Sequence, residues 1–140
     1  EVSRQQFHAE LEALKYERER IEENYKPRFV TGGFGGTHNG AGHHEFSCLI
    51  NNLGATITNV KIGASAPMER LTPKERTHWI SGDGVRITFV FERQIICDCT
   101  LSIVYTDAAG RVGECQINLA SDMSDQYPKM KLKEIKYIAP

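Results

Sequence analysis

The sequence predicts a mainly β fold, an N-terminal α-helix followed by a seven-stranded antiparallel β-sandwich of immunoglobulin-like type. Three observations carry this. Residues 1–26 contain neither glycine nor proline, the rest of the chain alternates apolar and polar residues with a period of two, and turn residues punctuate that alternation without intervening helical patterns. A small β-barrel is the alternative closure for the same strands. The chain accordingly divides into a charged helix or stalk over 1–26 and a sandwich domain over 27–140.

Ala, Leu, Glu, Lys, Arg and Gln dominate the first segment, and all are strong helix formers. Its apolar residues Phe7, Leu11, Leu14, Ile21 and Tyr25 recur at spacings of 4, 3, 7 and 4. That is a seam of period near 3.5, broken only where Arg18 takes the missing position. Glu12 with Lys15 and Glu22 with Lys26 add supportive pairs of about 0.3 kcal/mol each. Pro27 ends the helix, because the residue before a proline is driven out of helical space. Two uses of the helix are open: docking on the sandwich, or a coiled-coil stalk that self-associates or binds a protein partner through Phe7, Leu11, Leu14 and Ile21. A narrow seam favours the stalk.

After a glycine-rich connector at 32–42, the clearest strand sets Val85, Ile87, Phe89 and Phe91 on one face against Arg86, Thr88 and Glu92 on the other. Cys97, Cys99, Leu101, Ile103 and Tyr105 alternate likewise, as do Cys115, Ile117 and Leu119. Between these two runs Asp107-Ala108-Ala109-Gly110 has the chemistry of a type I turn with glycine in the left-handed position, which makes the pair a hairpin. Weaker alternation places strands at 28–34, 45–51, 56–64 and 130–138. The long connection 65–84 carries Thr72-Pro73-Lys74-Glu75, the pattern of a capped helical turn. Trp79, just beyond it, is expected to plug the core.

Several local motifs carry a resemblance. They are Tyr25-Lys26-Pro27-Arg28-Phe29-Val30, Leu49-Ile50-Asn51-Asn52-Leu53-Gly54, Asn59-Val60-Lys61-Ile62 and Ile80-Ser81-Gly82-Asp83-Gly84. In layout the chain resembles uncharacterised bacterial membrane-anchored proteins in which a charged helix runs through a Lys-Pro-Arg-like junction into an immunoglobulin-like β-sandwich. The resemblance implies an anchor before Glu1 and no catalytic residues. It departs from that layout in its glycine- and histidine-rich loop at 32–42 and in showing no membrane helix within the 140 residues.

Composition narrows the function further. Seventeen basic and 18 acidic residues leave a net charge of −1, so no global field draws in nucleic acid. No apolar run approaches the roughly 20 residues that span a bilayer. The sequence contains no Gly-x-Ser-x-Gly elbow and no Gly-Lys-Ser/Thr phosphate loop, and His78 near Asp83 suits turn and surface roles.

The one constellation with ligand chemistry is His38, His43, His44 and Cys48, a set that would take zinc if the glycines let it converge. Its spacing fits no standard zinc pattern, and Cys48, Cys99 and Cys115 fall on apolar strand faces where free cysteine behaves as a small hydrophobe. Reduced thiols, and with them the cytoplasmic side of any anchor, are favoured over a bridge from Cys48 to Cys99 or Cys115. Lys129, Lys131, Lys133 and Lys136, offset by Glu134, make the last strand locally +3. Such lysines guard an edge against pairing, or meet an acidic partner or lipid headgroups. Together these features predict a noncatalytic interaction, assembly or sensing module without a cofactor, with a zinc or redox domain as the alternative.

Overall fold

The computed structural model describes residues 4–38, 44–65, 68–91, 97–122 and 129–138, with the side-chain surroundings of 19–23, 37–38, 44, 68–69, 97, 122 and 129 left undescribed. Helix α1 spans Arg4–Asn24. It is followed by β1 (Phe29–His38), β2 (His44–Asn52), β3 (Ile57–Ala64), β4 (Met68–Thr72), β5 (Glu75–Trp79), β6 (Gly84–Phe91), β7 (Cys97–Thr106), β8 (Val112–Asp122) and β9 (Lys129–Ile138). All ladders are antiparallel.

The strands form two sheets, one ordered β1-β2-β6-β4 and the other β5-β3-β7-β8-β9. The expected alternation holds. Val85, Ile87, Phe89 and Phe91 face inward, as do Cys99, Leu101, Ile103, Tyr105, Cys115, Ile117 and Leu119, and together they build the core between the sheets. Trp79 lies fully buried in that core, 5.0 Å from the Phe29 ring. The Asp107 turn is as expected, with Gly110 N donating to Asp107 O at 3.0 Å and Gly110 at φ +82°. Among the described residues the two sheets share no strand, so the small barrel is not formed.

Two expectations need correction. The fold has nine strands and not seven, because the stretch read as a connection with a helical turn contains β4 and β5. Thr72-Pro73-Lys74 instead carries the chain from one sheet to the other, with a cis peptide before Pro73 and Lys74 O accepting from Ile62 N. The physical reason is that β4 and β5 are edge strands, held by backbone ladders to β6 and β3, with Leu71 and Trp79 alone among their described side chains in the core to mark them.

Secondly, the glycine-rich stretch is mostly strand. β1 runs on through Gly32, Gly33, Gly35 and Gly36 to His38, with a register shift between Thr31 and Phe34. A Cβ at Gly36 would stand 3.0 Å from the Phe46 ring, so glycine there admits the packed aromatic. The lysine-rich strand β9 carries a bulge: Asn118 pairs with Glu134 and Leu119 with Leu132, leaving Lys133 unopposed.

Direction along the strands gives the molecule two ends. Asn24, the 53–56, 80–83 and 107–111 connections and Ile138 gather at one end, and the strand ends His38, His44, Ala64, Phe91 and Asp122 lie at the other. The helix therefore enters at the end where the well-bonded turns lie.

Candidate functional site

At the helix end, three polar residues fix the junction. Asn52 is fully buried, and its Oδ1 accepts from Arg28 N (3.1 Å) and Gly54 N (3.0 Å) while its Nδ2 donates to Ala55 O (2.8 Å). A burial this complete demands such partners. Asp107 accepts from Ala109 N and Arg111 N and pairs with the Arg111 guanidinium at 3.2 Å. Tyr137 Oη accepts from Phe29 N at 2.8 Å, and its ring stacks on that of Phe29 at 6.4 Å, tying β9 to the start of β1. Further bonds from Ala55 N to Lys26 O and from Ala108 N to Tyr25 O seat the chain as it leaves α1. A depression at this junction is lined by Lys26, Pro27, Arg28, Leu53, Gly54 and Tyr137. Lys26, Pro27 and Arg28 stand in the sequence as a junction motif and Leu53 and Gly54 in a second motif, whereas no sequence signal singles out Tyr137.

Burial disarms two of the described thiols, Cys48 and Cys115. Cys48, Cys99 and Cys115 are buried and form no disulfide, so Cys48 is bridged to neither Cys99 nor Cys115. Burial raises the Cys48 thiol to about 11, against a smaller opposing pull from Arg86. Burial likewise raises Cys115 to about 12, despite a hydrogen bond with Tyr137 that works the other way. The thiolate is the reactive species, and both groups stay thiols at neutral pH.

The histidine set is only partly brought together. The β1 and β2 ladder places His38 opposite His44 at the mouth of the hairpin, and His43 lies outside the described residues. Cys48 sits four residues further along β2, about 13 Å from His44 along the strand, and points into apolar core. One tetrahedral ion does not span that separation with Cys48 where it is. Among the described residues no three His, Cys, Asp or Glu side chains cluster as a metal would require. His78 is exposed on β5, and Asp83 faces Arg76 at 3.9 Å. Ser47 is half-buried and accepts a hydrogen bond from Arg86 at 3.3 Å.

On the edge strand β9, Lys131, Lys133 and Lys136 are exposed; the surroundings of Lys129 are undescribed. Lys133 reaches Asp98 of β7 at 3.1 Å, and Glu134 accepts from Asn118 at 3.0 Å. The patch is thus partly neutralised within its own sheet, on an outer face that Thr100, bonded to Asn118, also lines. These are exposed pairs of small worth.

The helix presents the remaining feature. Phe7, Leu11 and Leu14 are 58%, 49% and 63% exposed, and every residue from Arg4 to Arg18 is open to solvent. Ile21 lies within α1 but its side-chain surroundings are undescribed. Among the described residues no helix is long and apolar enough to cross a membrane. Three large apolar side chains thus share one seam of one exposed helix, a surface of the kind that marks interaction sites. Comparison of the chain with protein-family models, with curated proteins and with solved structures finds no match.

Proposed function

We propose that this chain is a noncatalytic interaction and assembly module, an immunoglobulin-like sandwich carried on a helical stalk within a larger, membrane-anchored protein. The observation that carries this reading is the exposed seam of Phe7, Leu11 and Leu14 on α1. The immunoglobulin-like assignment draws support from strand order. With β1, β2, β3, β4, β6, β7 and β8 as strands A to G, one sheet is ordered A-B-E-D and the other contains C-F-G, with β5 and β9 added at its edges. Anchorage rests on the resemblance of the junction motifs alone. Against catalysis stand thiols held protonated by burial and buried polar side chains already engaged in turns and junctions.

The reading requires that α1 contribute nothing to the sandwich. Removing residues 1–24 is expected to leave the thermal midpoint of the sandwich within about 2 °C of the full chain, followed through Trp79 fluorescence. A substantially lower midpoint would make α1 a structural part of the domain and overturn the assignment.

A further inference from the structure

The α1 seam has heptad order. With Phe7 at position d, Leu11, Arg18 and Tyr25 fall at a, Leu14 and Ile21 at d, Glu10 and Glu17 at g, and His8, Lys15 and Glu22 at e. Helices in proteins draw most of their stability from packing an amphipathic face, so an exposed apolar seam along this 21-residue helix, with flanking charges of this order, calls for a partner helix. We propose that the partner is α1 of a second copy, paired parallel and in register. This deepens the reading above, on which it rests, by naming what the stalk binds.

Charge complementarity selects both occupant and direction. In a parallel pair each g residue faces the e residue of the following heptad on the other helix, which sets Glu10 against Lys15 of the second copy, twice by symmetry. An antiparallel pair brings g against g and e against e. Glu10 then meets Glu17 and His8 meets Lys15, so the flanks repel. Arg18 supplies the second argument. In register, the two Arg18 side chains share one layer, and each lies beside Glu17 of the other copy, a charge-assisted contact at the seam. Glu17 also faces Glu22 of the second copy, and Arg18 sits between those two acids. An antiparallel pair centred on Leu11 and Leu14 instead puts Arg18 against Phe7, an uncompensated charge on an aromatic layer. A polar residue at one a position lowers affinity and fixes register, the best-attested role of such a residue. The parallel pair also brings both sandwiches to the same end of the stalk, since β1 begins five residues after Asn24.

The full chain should sediment as a concentration-dependent dimer. Lys15→Glu turns both Glu10–Lys15 contacts repulsive and is expected to weaken the dimer roughly tenfold, an effect that shrinks in 0.5 M salt. Glu10→Lys combined with Lys15→Glu restores opposite charges and should recover affinity to within about twofold. Leu14→Cys, at a d position, should cross-link under mild oxidation as a dimer, whereas the wild-type chain treated alongside should not. All these positions are exposed, and unchanged Trp79 fluorescence confirms that the sandwich is intact. A full chain that stays monomeric, a Lys15→Glu variant that dimerises as wild type, a double variant as weak as the single one, or a dimeric Leu14→Cys protein that does not cross-link overturns the proposal. If the midpoint of the sandwich is unaffected by removal of residues 1–24, any of these outcomes overturns only the pairing. A fallen midpoint instead overturns the stalk.

Discussion

Replacing Asn52 by alanine tests the account of the junction most directly. The substitution removes an amide that bridges three stretches of backbone: Arg28 at the exit from α1, the Gly54–Ala55 turn after β2, and Trp79 at the end of β5. Three of the bonds are 2.8–3.1 Å long, and the fourth, to Trp79 O at 3.4 Å, is too long to count fully. Leaving a buried donor or acceptor without a partner costs about 1–3 kcal/mol. The backbone partners are only part-buried, so water can reach some of them and the low end applies: about 3 kcal/mol for the three. For a domain of this size that corresponds to a fall in thermal midpoint of about 10–15 °C. Urea unfolding followed by the fluorescence of Trp79, the single tryptophan, should show a midpoint lower by about 1–3 M with an unchanged slope. Asn118→Ala, which removes bonds on the outer face to Thr100 and Glu134, supplies the control and should cost under about 1 kcal/mol. If Asn52→Ala loses no more than Asn118→Ala, the junction is not held as described.

Two other outcomes follow from the same geometry. Gly54→Ala places a Cβ 2.5 Å from Arg28 N and Lys26 O, both backbone atoms that cannot give way cheaply, and should lower stability by more than about 2 kcal/mol; Gly33→Ala meets nothing within 4 Å and should be near neutral in thermal melts. Raised thiol pKa values make the fold alkali-sensitive. Unfolded thiols ionise near 9.0, whereas Cys48 and Cys115 hold their protons to about 11 and about 12, so the stability they contribute is full below pH 9 and is lost as pH rises through those values. At pH 10 the loss is on the order of 1 kcal/mol per thiol. A double Cys48→Ala, Cys115→Ala variant should therefore show a flatter decline in thermal midpoint from pH 8 to 10 than wild type, and parallel declines would refute the assignment.

Some of this protein is written locally. The helix needs only its helix-forming residues and Pro27, and the β7–β8 hairpin needs only its alternation and the Asp107–Gly110 turn, so both are legible within about a dozen residues. The heptad seam and the inward faces of Cys48, Cys99 and Cys115 follow from period alone. Other parts are decided between distant segments. Nothing in Met68–Thr72 or Glu75–Trp79 alternates well enough to predict a strand; they are strands because β6 and β3 present unpaired backbone groups to them. The run through Gly32–Gly36 has poor strand propensity, yet it is strand because β2 supplies its ladder and the Phe46 ring lies where a Gly36 side chain would be.

Asn51 and Asn52 are adjacent and chemically identical, and only the meeting of α1, β2 and β5 determines that Asn52 is the buried bridge. The same holds for the sulfurs: sequence places them on apolar faces, but desolvation by the assembled core is what keeps them protonated. Sequence by itself thus determined the helix, its seam and the strands whose side chains alternate, because those depend on neighbours along the chain. Tertiary structure decided the edge strands, the glycine strand and the junction, because each is stabilised by groups that only the folded chain brings within hydrogen-bonding or contact distance.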